Sequence, residues 1–186
     1  MALPQLKWTL DDYVAWENQQ PDRNEFYRGE VFAMVGARRM HGRVVSNLVR
    51  RLSEQLDGTR CQVFAEGMKL QIANDAVFYP DLFVTCDKSD LATEMIFRAP
   101  TLLIEVLSPS TQAYDRSQKF AVYRQLASLK EYILVDPDTR RVEAFRREAD
   151  DRWLFHDMSQ DEAMSCPSVG CTVPLAQVFQ DIDPKA

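Results

Sequence analysis

Residues 101–108 read TLLIEVLS. Large aliphatic side chains stand at odd and even positions alike, so both faces of this strand are buried. That pattern marks the centre of a sheet covered by other layers on both sides. A chain that contains it must supply those layers. It must also provide for Glu105, because an ionised carboxylate among aliphatics is costly unless it is hydrogen-bonded or paired with opposite charge.

The surrounding sequence contains candidates for both layers. MHGRVVSNLVRRLSEQLDG (40–58) repeats Val45, Leu48, Val49, Leu52 and Leu56 on one helical face and stops at Gly58. SPSTQAYDRSQKFAVYRQLASL (108–129) predicts a second helix, capped by Ser110 or Thr111, with Phe120, Tyr123, Val122, Leu126 and Leu129 turned inward. Between 101 and 136 the order strand, helix, strand fits one parallel crossover. Residues 8–20 predict a short helix capped by Thr9, and 25–35 a hairpin turning at Arg28-Gly29. Residues 61–72 read as one strand with a bulge at Gly67, and 77–86 as another, entered through Pro80. Residues 87–99 read as a polar connection, 131–147 as a strand, a Pro-Asp turn and a return strand, and 173–179 as a last short helix. The order α-β-β-β-α-β, with an added N-terminal hairpin, is that of an α/β protein whose central mixed sheet is flanked by helices. At 186 residues, with no repeat or linker, a single domain spanning 1–186 is expected.

No apolar run approaches the ~20 residues needed to cross a bilayer, so no membrane association is expected. MALPQLKWTLDDY lacks the basic-then-apolar layout of a secretory signal, and a cytoplasmic location is expected. Cys61, Cys86, Cys166 and Cys171 include only one close pair, a lone C-x4-C, so reduced, half-buried thiols are expected rather than zinc ligands. The net charge of −6 argues against a general nucleic-acid binder. The average conceals a lopsided chain, however. Arg38, Arg39, Arg43, Arg50 and Arg51 fall in a stretch without acids, whereas acids dominate from Glu148 onward.

Two carboxylates stand at related strand positions. Asp81 follows Pro80 at the start of one strand, and Glu105 lies toward the end of another. If the strands are neighbours, the acids share one space, and they repel unless a proton or a cation joins them. Hard divalent cations such as Mg²⁺ favour such oxygens. Lys119, on the helix after Glu105, can pack back toward both acids and orient a water or stabilise phosphate charge. Each residue also has an ordinary reading. Asp81 suits a turn after proline. Lys119 suits an i,i+4 pair with Asp115. Glu25 and Glu30 suit surface charge. His41 reads equally as a cap, a phosphate donor or an acid/base, and Tyr123 reads as core packing. The arginines read as a solvated helix face, or as phosphate contacts by Arg38, Arg39 and Arg43.

Several linked motifs narrow these choices. EFYRGEVFAM, His41 before a helix, YPDLFV, TLLIEVLSPST, a D-x3-K-x3-Y run and EYILVDP follow one another in that order. Together they resemble the Uma-type restriction endonuclease family, within the PD-(D/E)XK nuclease superfamily, over roughly residues 10–180. The resemblance implies a restriction-endonuclease-like fold and a Mg²⁺-dependent endonuclease, with Mn²⁺ as a substitute, acting on nucleic acid and on DNA in particular. It implies Asp81 and Glu105 as metal ligands and Lys119 as the third catalytic residue. Leu107 occupies the place where the superfamily has its lysine, and the resemblance implies that this role has moved to Lys119. It further implies acidic roles at Glu25 and Glu30, with Glu30 preferred for completing the metal shell. A homodimer is expected by analogy with double-strand-cutting relatives of the fold. Two other functions fit the same residues: a module of the same fold that binds nucleic acid or regulates without cutting, and a metal-dependent hydrolase of small phosphorylated molecules.

Overall fold

The computed structural model describes residues 7–34, 36–109 and 111–183. Val35 of the predicted hairpin and Ser110, one of the two candidate helix caps, lie outside the described residues. Among the described residues no helix is long and apolar enough to cross a membrane.

The chain opens with α1 (Leu10–Glu17), whose Thr9 cap accepts the Asp12 N–H. Strands β1 (Asn24–Tyr27) and β2 (Glu30–Ala33) follow as the hairpin. Its turn has φ of 49° at Arg28 and 86° at Gly29, the doubly left-handed geometry of tight hairpins. A Cβ on Gly29 would lie 2.7 Å from the Lys7 Cβ. Gly29→Ala is therefore expected to destabilise the protein by about 1–2 kcal/mol, read as a lower urea midpoint. The long helix α2 (Arg39–Leu56) buries Val45, Leu48, Leu52 and Leu56 as its periodicity predicts, with Val44 buried beside them and Val49 only partly covered.

The next two segments differ from the expected pair of unbroken strands. Residues 61–72 divide into β3 (Gln62–Ala65) and β4 (Lys69–Ile72), and 77–86 into β5 (Ala76–Phe78) and β6 (Leu82–Thr85). The first break falls at Glu66 and Gly67, both left-handed with φ of 34° and 80°. The second falls at Tyr79-Pro80, where proline has no N–H to donate to a ladder. β4 and β5 join the hairpin in one sheet of order β2-β1-β5-β4-β7, in which β7 is Ile96–Phe97, and β3 and β6 enter another. The connection 87–99 is more structured than its polarity suggests, with a 3-10 turn at Asp90–Ala92 and the strand β7 (Ile96–Phe97).

TLLIEVLS supplies β8 (Pro100–Val106), and β9 (Glu131–Asp136), β10 (Arg141–Arg147) and β11 (Trp153–Asp157) follow. The main sheet has the order β11-β10-β9-β8-β6-β3. β8 and β9 pair in parallel, as the crossover requires, and β6 lies antiparallel on the other side of β8. Leu102, Ile104 and Val106 face a core formed with α2 and the C-terminal segment. Leu103 and Leu107 face the second core, formed with Phe78, Phe83, Tyr123 and Tyr132. Both faces of the strand are covered, by α2 and by the second sheet with the crossover helix.

That helix is shorter than the expected 108–129. It comprises α3 (Gln112–Tyr114), a π turn at Asp115–Lys119 and α4 (Phe120–Tyr123). The tail adds the hairpin β12 (Ala163–Cys166) and β13 (Cys171–Pro174) before α5 (Leu175–Val178).

The cysteine expectation is corrected in part. Cys61 and Cys86 form a disulfide. The pairing of Gln62 with Thr85 brings their neighbours together across the two strands, a proximity that a sequence separation of 25 does not reveal. Cys166 and Cys171 are free and buried.

Candidate active site

Strand register brings the two acids together. Leu82 pairs with Ile104, so Asp81 stands opposite Glu105 one step further on. The Asp81 N–H donates to Glu105 Oε2 at 3.1 Å, and the Val106 N–H donates to Asp81 Oδ2 at 2.7 Å. Glu105 is thus tied to the Asp81 backbone, and Asp81 to the amide of the residue that follows Glu105. They lie where the chain parts between the two sheets, and the parting opens a cleft of about 900 Å³ lined by Glu25, Asp81, Glu105, Asp115 and Lys119 among others.

Glu105 is almost fully buried. Its Oε1 accepts from the Tyr123 hydroxyl at 2.8 Å and from Lys119 Nζ at 3.3 Å. With the Asp81 amide on Oε2, both oxygens have a hydrogen-bond donor in reach. Lys119 Nζ also lies 3.0 Å from Glu25 Oε1 and 3.7 Å from Asp115 Oδ1, and 5.7 Å from the centre of the Phe78 ring. Glu25 accepts the Tyr79 N–H at 3.1 Å. The π turn, a wide turn often found at functional sites, carries both Asp115 and Lys119. On the opposite side His41 Nε2 lies 3.1 Å from Asp81 Oδ2, and its buried Nδ1 has no hydrogen-bond partner among the described residues.

Burial pushes the Glu105 carboxyl well above the usual carboxylate range. Lys119 opposes that rise, and Asp81, Asp115 and Glu25 add to it. Burial likewise raises Asp115, again against Lys119. Burial alone would lower Lys119, but Glu105, Glu25 and Asp115 outweigh it and hold the ammonium charged. Burial would also lower His41, and the hydrogen bond and charge of Asp81 outweigh it, so His41 is raised.

These shifts give the protein a direction of pH dependence. A raised histidine contributes stability that is fully present below its unfolded value of about 6.5 and is lost as pH rises through the folded value. Raised carboxyls mean that the folded state holds more protons than the unfolded one, so stability again falls with rising pH. In the absence of added metal, stability to urea is expected to decline from pH 5 to pH 8. His41→Gln is expected to flatten the part of that decline above pH 6, and an unchanged slope would remove His41 as its source.

The structure separates the predicted residues. Glu25, His41, Asp81, Glu105, Asp115 and Lys119 converge on the cleft. Leu107 is buried in the core beside Tyr123, and Lys119 reaches Glu105 from the next helix. Glu30 does not join them. It pairs with Tyr27 at the turn end of the hairpin and is exposed, and Phe32 is the residue opposite Glu25. Arg38 lines the cleft but pairs with Asp138 at 2.8 Å. Arg39 and Arg43 are engaged elsewhere: Arg39 donates to the Asp181 and Ile182 carbonyls, and Arg43 pairs with Asp181 at 2.9 Å. They fasten the acidic C-terminal segment to α2.

The sequence favours core packing for Tyr123 and does not single out Glu66. Tyr123 packs in the core and also donates to Glu105; its place four residues after Lys119, on the same helix face, was the available signal. Glu66 lines the cleft and adds to the rise of His41. No sequence signal marks Glu66, because its position follows from the left-handed break before Gly67.

Known proteins resemble the chain throughout its length. It is 29% identical over 182 residues to an uncharacterised Synechocystis protein, slr1290, covering 97% of this chain and 96% of the relative. A second uncharacterised Synechocystis protein, sll1609, is 33% identical over 158 residues, covering 83% and 89%. Among solved structures, a protein of Anabaena variabilis described as a "putative nuclease belonging to DUF820" superposes with a TM-score of 0.78 at 19% identity, covering 94% of this chain and 99% of that one. That likeness establishes that the two chains share one mixed α/β fold. Residues 10–176 match the sequence model of Uma2, described as "Putative restriction endonuclease". The chain belongs to the Uma2 family.

Proposed function

We propose that the protein is a metal-dependent endonuclease acting on DNA, with Asp81 and Glu105 holding Mg²⁺, for which Mn²⁺ can substitute. One observation carries this reading: four carboxyl groups, Glu25, Asp81, Glu105 and Asp115, converge on one lysine and one histidine in a largely buried cleft. Even with both bases charged, the acids are in excess, and a divalent cation is the natural counter-charge for a buried carboxylate facing a partly accessible one. The donors fit such an ion. They are hard oxygens, and Mg²⁺ is commonly held by one or two carboxylates, completed by water and substrate phosphate. Among the described residues no group of three or more His, Cys, Asp or Glu forms a cage, so the two-carboxylate arrangement is the one proposed.

When bound, Mg²⁺ would supply Lewis-acid polarisation of the phosphate and of a water. The protein supplies the positioning. The Val106 amide fixes Asp81, and the Tyr123 hydroxyl and the Asp81 amide fix Glu105. Lys119, held charged by its three carboxylate neighbours, can donate to a scissile phosphate oxygen or orient the attacking water. The homodimer remains part of the proposal by analogy with the fold.

The non-cleaving module is the second reading. It is favoured by the engagement of Lys119 with three carboxylates, which leaves it no obligatory vacancy for substrate. Incubation with plasmid, linear and branched DNA and with RNA, in Mg²⁺ or Mn²⁺, distinguishes the two. Cleavage that is lost in Asp81→Ala and Glu105→Ala supports the nuclease. Cleavage that survives both substitutions overturns the assigned residues, and retention in a gel shift without any cleavage supports the module.

A further inference from the structure

The cleft has an apolar rim that phosphate chemistry does not use. Phe32, on β2 at the edge of its sheet, and Met34, just past the end of that strand, are 44% and 43% exposed although both line the cleft. The hairpin register sets Phe32 opposite Glu25, whose carboxylate holds Lys119. The Met34 N–H donates to the Arg23 carbonyl at 3.1 Å, which ties this end of the rim to Arg23. Arg23 also lines the cleft, and among the described residues its guanidinium forms no ion pair and donates no hydrogen bond. The other strongly exposed aromatics have ring partners: Trp8 packs on Trp16 and Phe155 on Phe145. Phe32 contacts no ring among the described residues.

An exposed ring and thioether beside a free guanidinium make a surface suited to a base and its phosphate. Base-on-aromatic stacking with a cationic track is how single strands are held without sequence readout. In a duplex both faces of each interior base are covered by its neighbours, so Phe32 could engage only a base that has left the stack. A cleft of about 900 Å³ lies within the ~300–1,000 Å³ common for small-ligand pockets, which suits a segment of one strand and cannot enclose a double helix.

We propose that the Phe32–Met34 rim is a stacking platform that selects single-stranded or splayed DNA. This proposal rests on the nuclease reading and deepens it: the rim holds an unstacked base, Arg23 meets the adjoining phosphate, and the strand runs on to the carboxylates. Phe32 is a specificity-determining residue and takes no part in the chemistry.

The test is fluorescence anisotropy with a labelled oligothymidine strand, a blunt duplex and a forked duplex, in Ca²⁺ to suppress cleavage. The wild type is expected to bind the single strand and the fork at least roughly 10-fold more tightly than the blunt duplex, the order that one stacked base provides. Phe32→Ala with Met34→Ala is expected to bring the three affinities together, Phe32→Trp to keep or widen the gap, and Phe155→Ala to leave it unchanged. Equal wild-type affinities, a gap that survives the double substitution, or a gap lost in Phe32→Trp would overturn the platform. Cleavage in Mg²⁺ without a strand preference would overturn the platform and leave the nuclease standing. A strand preference with no cleavage in any metal would overturn the nuclease and leave the platform as the binding surface of a non-cutting module.

Discussion

Lys119→Met is expected to cost the protein about 3–5 kcal/mol of stability, the range found when one partner of a buried ion pair is removed. Lys119 is 8% exposed and is the cation against which Glu25, Glu105 and Asp115 are set. Methionine keeps most of the apolar stem and removes the ammonium that lies 5.7 Å from the centre of the Phe78 ring, so the loss reports mainly the missing charge. Without the ammonium, three carboxyls face one another across the cleft, and protonation is their simplest relief. The urea midpoint of Lys119→Met should therefore lie closer to that of the wild type at pH 5 than at pH 8. Mg²⁺ should recover part of the loss, because a bound cation stabilises the folded state. Adding Glu105→Gln should recover part as well, because the amide removes one negative charge and its oxygen still accepts from Tyr123. A cost below about 1 kcal/mol at pH 8, the level of an exposed pair, would show that Lys119 is not what compensates these acids.

The same residues show what a sequence can disclose and where it stops. β8 was legible because unbroken apolarity on both faces admits one placement, and α2 because Val45, Leu48, Leu52 and Leu56 repeat with the helical period. The pairing of Asp81 with Glu105 was legible only through motif order, since strand adjacency is a long-range property. The breaks at Glu66-Gly67 and Tyr79-Pro80 were not read as breaks. A bulge and a strand entry use the same residues, and tertiary pairing alone decides that one hairpin serves two sheets. That error matters to function, because the parting makes the cleft. The placement of Glu25 in the cleft and of Glu30 outside it was hidden for a related reason: both are acidic residues beside a turn, and register, not composition, turns one inward. The disulfide between Cys61 and Cys86 and the use of Arg39 and Arg43 to anchor the C-terminal segment depend equally on contacts between distant parts of the chain.

Asp81→Ala and Glu105→Ala should each abolish detectable Mn²⁺ binding by calorimetry and reduce metal-dependent cleavage by on the order of 100-fold or more, since removing a single group that stabilises transition-state charge costs roughly 10²–10³. Their effects on stability should differ, and the difference separates metal binding from folding. Asp81 is partly accessible and lies beside His41, whereas Glu105 is buried and accepts from Lys119, Tyr123 and the Asp81 amide. Truncating Glu105 leaves those three donors without their acceptor, so Glu105→Ala should lower stability well beyond Asp81→Ala. Glu105→Gln provides the control. The amide oxygen can still accept from Tyr123 or Lys119 while its NH₂ faces the Asp81 N–H, so Glu105→Gln should destabilise less than Glu105→Ala, and the charge that a cation requires is gone. If Glu105→Gln binds Mn²⁺ with the heat of the wild type, Glu105 is a structural acceptor and the ion, if any, lies elsewhere. If binding heat and cleavage vanish in Glu105→Gln while the fold persists, the acid in TLLIEVLS is there for the metal, and Lys119 and Tyr123 are what allow it to stay buried when the metal is absent.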